Sequence, residues 1–413
     1  MFLRLASQSL LDRKGSIVLT IFAISVSIFV LLGIEHVRQK AKESFGNTVS
    51  GTDLIVGART SNLNLLLYSV FRIGNATNNI RWETYQEVAA HPSVEWTIPI
   101  SLGDSHRGYR VMGTSQDYFK YFKYGAKREL EFKHGNQFEA LYDVVLGAEV
   151  AARLGYKLGD SLILSHGLVS TDFSDHSDSP FKVSGILKAT GTPVDQTLHV
   201  SLEAIEAIHD GWQESPNPIN ATDGFRNDGA ATSPDLQPES ITAFLIGLKS
   251  KITTFRLQRQ INEYPREPLL AILPGVTLTE FWQTLSTTET TLRLISSLVL
   301  VAALLGLSAL LLASIRERQQ EIRIMRMLGA SPWFIFLLIE LEAILVTLIS
   351  STIAVCMLFL TLLLSGDYIA SRFGLRIDAN FLTQSNLLTL LIIFGCSILV
   401  SFIPSISAYR RAH

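Results

Sequence analysis

The sequence predicts a membrane α-helical protein with four transmembrane helices, arranged one plus three, and an α+β extracytoplasmic domain inserted between helices 1 and 2. Two observations predict this class. The mean hydropathy is +0.28 and only 17% of the 413 residues are charged, which is too apolar for an ordinary soluble chain. One long apolar run lies near the N-terminus and three lie near the C-terminus, with a long turn-rich stretch of short alternating runs between them.

The apolar runs set the predicted membrane spans. The first span is 17–35, in which Ile17 to Ile34 carries no charge and covers about 27 Å at about 1.5 Å per residue, close to the hydrocarbon thickness. A cleaved signal peptide is the alternative, but the run is long for one and no small-x-small cleavage site follows it. The other predicted spans are 294–315, 333–364 and 387–406.

The distribution of Lys and Arg predicts the orientation, because short basic segments stay in the cytoplasm. Basic residues precede the first span, fill the second-to-third connection and follow the fourth span: Arg4, Arg13, Lys14, Arg316, Arg318, Arg323, Arg326, Arg410 and Arg411. We therefore predict that the amphipathic N-terminal segment 1–16, the loop 316–332 and the tail 407–413 are cytoplasmic. Both termini are then inside, and the loop 365–386, with balanced charges, is outside.

The residues 51–279 are predicted to form the extracytoplasmic α+β domain. Predicted strands are Asp53–Val56, Val94–Ile100, Tyr109–Gly113, Ser161–Ser165, Phe181–Leu187, Thr197–Ser201 and Ile241–Leu248. Predicted helices are Trp82–Ala90, Glu149–Leu154, Leu202–Ile208 and Thr253–Tyr264. The segment Glu214–Ser240 is rich in Pro, Asn, Asp, Gly and Ser, so we expect a mobile loop there.

Two stretches that flank this domain, 36–50 and 280–293, have apolar residues at helical spacing. We interpret them as continuations of the first two membrane helices, which together form a stalk that carries motion between membrane and domain. Two ordinary amphipathic helices packed on the base of the domain are the alternative.

The loop 316–332 has the pattern of a short amphipathic helix. Ile322, Met325 and Leu328 share one helical face, and Arg323 and Arg326 lie on the other. Gly329 is placed to end the helix, and Ser331 and Pro332 suit the N-cap and first turn of the next one. Such a helix is what a soluble partner would bind.

The segment Glu321–Ser331 resembles the E-I-x-I-x-x-x-L-G-A-S signature that joins the second and third membrane helices of the MacB/FtsX-type permease family. Four other stretches are similar to parts of the family's sequence. Leu10–Gly15 is similar to the basic element before its first membrane helix, Val144–Ala151 and Leu154–Asp160 to its periplasmic domain, and Leu338–Leu345 to an apolar stretch around a Glu-Ala pair. The resemblance covers nearly the whole chain, and the order and spacing of these weak motifs carry it.

The resemblance implies a bacterial inner-membrane permease that dimerises with a second copy or a related chain and binds a cytoplasmic ABC ATPase. The implied coupling residues are those of the loop helix: Glu321, Ile322, Arg323, Met325, Arg326, Leu328 and Gly329. Because no G-x-x-x-x-G-K-[ST] loop occurs, the ATPase is expected to be a separate polypeptide that binds ATP and magnesium, while this chain binds no cofactor and has no enzyme activity. A periplasmic adaptor or lipoprotein and membrane lipid are further implied partners.

Two carboxylates, Glu340 and Glu342, fall inside the third predicted span, where an ionised carboxylate is costly without a partner. One interpretation places both near the headgroups, paired with Arg316, Arg318 or lipid. The other gives Glu342, which matches a family glutamate, a role at the dimer interface or at the coupling helix.

The remaining candidate sites each have a plainer alternative. Leu65, Leu66, Tyr68 and Phe71 belong to an unusually apolar stretch that suits contact with lipid or cargo, or else burial in the domain core. A set of potential metal ligands lacks the spacing of a calcium or zinc site and is expected to be a solvated loop tip: Asp172, Asp175, His176 and Asp178, with His166 and His199 nearby.

The leading functional hypothesis is a permease that couples ATP hydrolysis elsewhere to export or extraction at the outer face of the membrane. Family members expel macrolides, peptides or haem, extract lipoproteins or activate cell-wall hydrolases, and the sequence does not select among these cargoes. One alternative is a transmembrane regulator that activates an extracytoplasmic hydrolase without moving cargo, and another is a membrane-anchored enzyme or receptor. The net charge of −2 disfavours nucleic-acid binding.

Overall fold

A computed structural model of the protein describes residues 14–48, 50–166, 180–213, 236–317, 319–373 and 383–411. The chain divides into two compact units. The helical unit comprises 1–41, 285–370 and 377–413, and the mixed unit comprises 42–284 and 371–376.

The described helices and strands are numbered in chain order within each class. The helices are α1 (Lys14–Thr48), α2 (Asn62–Val70), α3 (Trp82–Ala89), α4 (Asp117–Tyr121), α5 (Ala148–Leu154), α6 (Leu202–Gln213), α7 (Thr254–Asn262), α8 (Pro274–Glu317), α9 (Gln319–Met327), α10 (Pro332–Phe373) and α11 (Gln384–Arg411). The strands are β1 (Leu54–Ala58), β2 (Ile80–Arg81), β3 (Val94–His106), β4 (Tyr109–Thr114), β5 (Lys123–Tyr124), β6 (Arg128–Glu129), β7 (Phe132–Gly135), β8 (Asp143–Leu146), β9 (Ser161–Leu162), β10 (Ser165–His166), β11 (Phe181–Leu187), β12 (Thr197–Ser201), β13 (Ser240–Ile241), β14 (Ala243–Leu248) and β15 (Leu269–Ile272).

The helical unit contains the segments that are long and apolar enough to cross a membrane. Within the described residues these are Lys14–Glu43, Pro274–Glu317, Pro332–Ser365 and Gln384–Ser407, and each includes one predicted span. One apolar core joins α1, α8, α10 and α11, with Ile28, Leu304, Ala343 and Ile393 among its members. Large apolar side chains also cover the outside of these helices, for example Leu19, Phe22, Leu298 and Leu391, which is the pattern expected of a surface that faces hydrocarbon.

The mixed unit is built on an 11-stranded sheet with the order β15-β1-β14-β3-β4-β12-β8-β11-β7, to which β10 adds at β3 and β9 at β11. The pairs β4 with β12 and β8 with β11 are parallel, and the other pairs of this sheet are antiparallel. The first strand lies between β14 and β15 and all five of its residues are buried. The two ends of the mixed unit therefore meet in one sheet, as an inserted domain requires.

Several predicted elements agree with the structure, one predicted strand is divided into two, and some observed elements were not predicted. Strands β11 and β12 have the predicted bounds, whereas the predicted strand Ile241–Leu248 is divided at Thr242 into β13 and β14. There the Thr242 hydroxyl accepts a hydrogen bond from the backbone N–H of Leu102 at 3.0 Å. The prediction missed α2, β8 and β15, and the two strands are only four residues long and pair with strands that are distant in the chain.

Residues 36–48 of the first predicted stalk segment lie in α1 and all of 280–293 lies in α8, and each of these uninterrupted helices also contains a predicted span. Within the mixed unit, the ring of Phe45 on α1 lies 5.9 Å from that of Phe281 and 5.7 Å from that of Trp282 on α8. Within the helical unit, Arg38 Nη1 lies 4.0 Å from Glu289 Oε2. The two segments are thus packed against each other.

Candidate functional site

The predicted cytoplasmic loop is built around α9, which ends in a Schellman motif. Gly329 has φ +96°, and its N–H donates to Arg326 O, while the N–H of Ala330 donates to Met325 O, both at 3.0 Å. The next helix begins with Pro332, and the Ser331 hydroxyl accepts from the N–H of Phe334 at 3.2 Å as an N-cap. The predicted end and start signals are both confirmed, so a sharp local turn separates α9 from α10.

The faces of α9 differ from the predicted arrangement. Ile322 packs against the core of the helical unit and Met325 is half-buried, but Leu328 is 84% exposed. Leu328 departs from that face because it directly precedes the left-handed Gly329, where the helix has ended. The exposed apolar face consists instead of Ile324, Met327 and Leu328, and we call it the α9 face.

Two basic residues accompany the α9 face. Arg323 is exposed and Arg326 is half-buried, and among the side chains that the structure describes neither has a carboxylate within 4 Å. Glu321 lies in α9, but its side chain is outside the described part. The surface therefore combines apolar contact area with positive charge.

Both intramembrane carboxylates are buried, Glu340 to 7% and Glu342 to 4% exposure. The Ser401 hydroxyl on α11 donates to Glu340 Oε2 at 2.6 Å, and Glu340 Oε1 has no hydrogen-bond partner within the described residues. Among the described residues Glu340 is therefore bonded to Ser401 on the neighbouring helix and forms no ion pair with Arg316. Arg318 is outside the described residues.

A second polar contact joins α10 to α11. The hydroxyls of Thr347 and Ser397 lie 2.6 Å apart, and both residues are buried. Ser397 and Ser401 are one turn apart on α11 and face α10 at two levels. Sequence reasoning missed these partners, although buried hydroxyls four residues apart in an apolar helix are a usable signal.

A charged cluster around Glu35 joins three helices of the helical unit, and sequence reasoning missed it as well. Glu35 Oε1 accepts from Arg38 Nη2 at 2.6 Å and from the Ser385 hydroxyl at 3.1 Å. Glu35 Oε2 accepts from Arg293 Nη2 at 2.5 Å. The side chain of Glu35 is only 13% exposed, so α1, α8 and α11 are linked through one carboxylate.

The proposed lipid-contact residues are buried, which corrects that hypothesis. Leu65, Leu66, Tyr68 and Phe71 have exposures of 0%, 2%, 1% and 7% and belong to the core of the mixed unit. The helix α2 packs on β1, where a Cβ at Gly57 would lie 2.5 Å from Leu65 Cδ1. The apolar face of α2 is thus used in the core rather than presented to lipid or cargo.

The candidate metal ligands fall in two places. Asp172, Asp175, His176 and Asp178 lie outside the described residues, as does the side chain of His166. His199 is fully buried in β12, its Nδ1 3.3 Å from the carbonyl oxygen of Val145. Burial, and then the charge of Arg72, lowers the pKa of His199 to about 3. Among the residues described, no group of three or more His, Cys, Asp or Glu is arranged to hold a metal.

Comparison with known proteins gives two matching family models. The MacB-like periplasmic core domain matches residues 17–264, and the FtsX-like permease C-terminal domain matches residues 293–412. Similar solved structures include the periplasmic region of MacB from Actinobacillus actinomycetemcomitans, with a TM-score of 0.35 and 10% identity over 58% of this chain and 94% of that one.

The extracellular domain of the noncanonic ABC-type transporter YknZ from Gram-positive bacteria is also similar. It has a TM-score of 0.32 and 11% identity over 54% of this chain and 99% of that one. A search of the curated proteins finds no match.

Proposed function

The chain belongs to the MacB/FtsX-type permease family, and we propose that it couples ATP hydrolysis by a separate cytoplasmic ATPase to export or extraction of a substrate at the outer face of the inner membrane. Membership makes the protein the membrane subunit of an ABC transporter, a multi-pass inner-membrane protein with a periplasmic domain. The proposal adds the route of coupling, the orientation and the partners.

The α9 face is the observation that carries the proposal. Met327 and Leu328 are 79% and 84% exposed, and solvent contact of two such side chains is unfavourable unless a partner covers them. The Schellman turn at Gly329 holds this face at the end of a short helix, next to two basic residues. An ABC ATPase with an apolar groove and an acidic rim has the matching chemistry, and it would bind ATP and magnesium itself.

The transmission of motion rests on the long helices. α1 continues from the first predicted span through residues 36–48, and α8 contains both 280–293 and the second predicted span, so a displacement at one end is carried along a hydrogen-bonded rod. With both termini and α9 in the cytoplasm, ATP-driven closure of the partner would move α8 and α10, which flank α9 in the chain. A second permease copy completes the two-fold arrangement that two ATPase subunits require.

Co-purification of the variants Met327→Glu and Leu328→Glu with the ABC ATPase that accompanies the wild-type chain tests the docking. We expect each charge to abolish co-purification and stimulated ATP hydrolysis, because it places a carboxylate in an apolar contact. The matched control is Ile252→Glu, which changes a 92% exposed residue of the mixed unit and should leave both unchanged. Full ATPase binding by both α9 variants would contradict the proposed docking.

Reconstituted vesicles test the transport part separately. Wild-type permease with its ATPase should move or release a solute in an ATP-dependent manner, and the α9 variants should not. ATP hydrolysis that the permease stimulates without any movement of solute would instead identify the chain as a regulator of an extracytoplasmic partner.

A further inference from the structure

The mixed unit contains an open cleft of about 390 Å³ that the proposed coupling does not use. One wall is the loop 74–79 between α2 and β2, and the other consists of Leu102 and Gly103 on β3 with Arg110 on β4. Its volume is at the lower end of the range for sites that hold small molecules.

A β-bulge opens the wall of this cleft. The register between β3 and β4 shifts between Leu102 and Ser105, so Gly103 lies at an interruption of the ladder. A Cβ built on Gly103 meets nothing within 4 Å, which means that this position borders open space. The strand wall of the cleft is therefore open at Gly103.

Arg110 provides the charge of the cleft. Its Nη2 donates to Gly74 O at 2.8 Å and to Asn75 Oδ1 at 3.0 Å, and both acceptors are neutral. Within the described part of the chain no carboxylate lies within 4 Å of this guanidinium. Two hydrogen bonds thus fix the guanidinium at the cleft and leave its positive charge uncompensated by the residues around it.

Arg72 does not line the cleft, but its positive charge interacts with that of Arg110. Arg72 lies in the chain between α2 and the loop 74–79, and its φ of +60° is left-handed. Its Nη1 donates to the carbonyl oxygen of Ser69, and its Nε is buried without a hydrogen-bond partner among the described residues. Burial lowers the pKa of both arginines, and the charge of Arg110 acts on Arg72 in the same direction, so an anion would relieve the repulsion.

We propose that this cleft binds the oxyanion end of a small ligand, a carboxylate or a phosphate group, with Arg110 as its anchoring cation. Both Nη2 hydrogens of Arg110 are donated to Gly74 and Asn75, so Nη1 and Nε remain to hydrogen-bond either group. Asn75 and Asn79 on the loop supply amide groups at the rim, and Leu102 supplies a small apolar wall for the adjoining part of the ligand. The site lies in the mixed unit and does not depend on the docking of an ATPase.

Isothermal titration of the full-length chain in detergent tests the proposal with three probes: inorganic phosphate, N-acetylalanine and the uncharged N-acetylalaninamide. We expect the preferred anion to bind with a Kd of about 1 mM, as one charged contact in an open cleft supports, and the amide not to bind. Tighter binding of N-acetylalanine identifies a carboxylate ligand, and tighter binding of phosphate identifies a phosphate group.

Two variants test the site by different means, one by removing the charge and one by filling the space. Arg110→Gln removes the charge and should weaken anion binding about tenfold or more. Gly103→Leu fills the cleft from a position with open space in front of it and should abolish binding without removing any charge. The control Arg259→Gln removes an arginine that is 79% exposed and pairs with Glu263 at the C-terminal end of α7, and this variant should bind like the wild type.

Each outcome decides the proposal. Loss of anion binding in the folded variants, with retention in the control, supports it. If Arg110→Gln does not fold, Gly103→Leu decides alone. Absence of binding of both anions to the wild type, or unchanged binding in either folded variant, overturns the proposal.

Discussion

Arg293 Nη2 donates a hydrogen bond of 2.5 Å to Glu35 Oε2, so an ion pair joins α8 to α1. Glu35 also accepts from Arg38 and Ser385, which makes its carboxylate the common acceptor of three helices. A carboxylate at such a junction aligns the helices because its two oxygens must be reached from different directions. The same contact makes the relative position of α1 and α8 sensitive to a change at a single residue.

Replacing Glu35 with Gln should lower the free energy of unfolding by about 1 to 2 kcal/mol, since Arg293 is partly exposed and solvent screens its charge. Thermal unfolding in detergent measures this, and the loss should shrink as salt is raised. A double-mutant cycle with Arg293→Gln should give a coupling energy of about 0.5 kcal/mol or more. Strictly additive effects of the two changes would contradict a direct contact.

Replacing Gly329 with Ala should weaken the end of α9. The cost is about 1 kcal/mol and comes from the backbone, because φ is +96° and a Cβ there meets nothing within 4 Å. Hydrogen exchange of 319–330 should become faster and ATPase stimulation should fall. Gly395→Ala is the matched control, since Gly395 lies inside α11 with open space around it and should be neutral or stabilising. Equal effects of the two substitutions would count against the left-handed cap.

Replacing Ser401 with Ala should leave the buried Glu340 carboxylate without its observed donor. We expect a loss of about 1 to 3 kcal/mol in denaturant unfolding of the detergent-solubilised protein, because an unsatisfied buried acceptor bears the full cost of desolvation. Ser405→Ala is the control, since the Ser405 hydroxyl is buried with no hydrogen-bond partner in the described residues and its removal should be neutral. A larger loss for Ser405→Ala than for Ser401→Ala would be inconsistent with the assigned pair.

The buried His199 predicts a stability that falls with acid. Its folded-state pKa of about 3 lies below the ordinary value of 6.5, so the unfolded chain takes up the proton first. Stability is retained above pH 6.5 and is lost as pH falls from 6.5 towards 3, by at most about 5 kcal/mol. The tryptophan-detected unfolding temperature of the mixed unit in the full-length chain should follow this curve.

A His199→Leu variant separates this effect from general acid unfolding. The substitution removes the titrating imidazole and places an apolar side chain of similar volume beside Tyr118. It also removes the contact with the Val145 carbonyl. The slope of unfolding temperature against pH between 6.5 and 3 should become shallower than in the wild type. An unchanged slope would show that another group is responsible.

Much of the local structure could be predicted because its causes are local. Run length and the absence of charge determine which segments can span, and four described helices include the predicted spans. Gly329, Ser331 and Pro332 determine the end of α9 and the start of α10 within a few residues of each other. The strands β11 and β12 were predicted with their observed bounds because alternation and flanking turn residues define them.

The sequence by itself determined the membrane class, the one-plus-three order of the helices and the family, since these depend on composition and on motif spacing along the chain. Only the tertiary structure decided what each side chain meets. It buried Leu65 and Tyr68 beneath β1, turned Glu340 towards Ser401, joined Glu35 to Arg293 and brought Arg110 to the loop at Gly74. These contacts join residues that are as much as 258 positions apart, and periodicity within one segment carries no information about which distant segment packs against it.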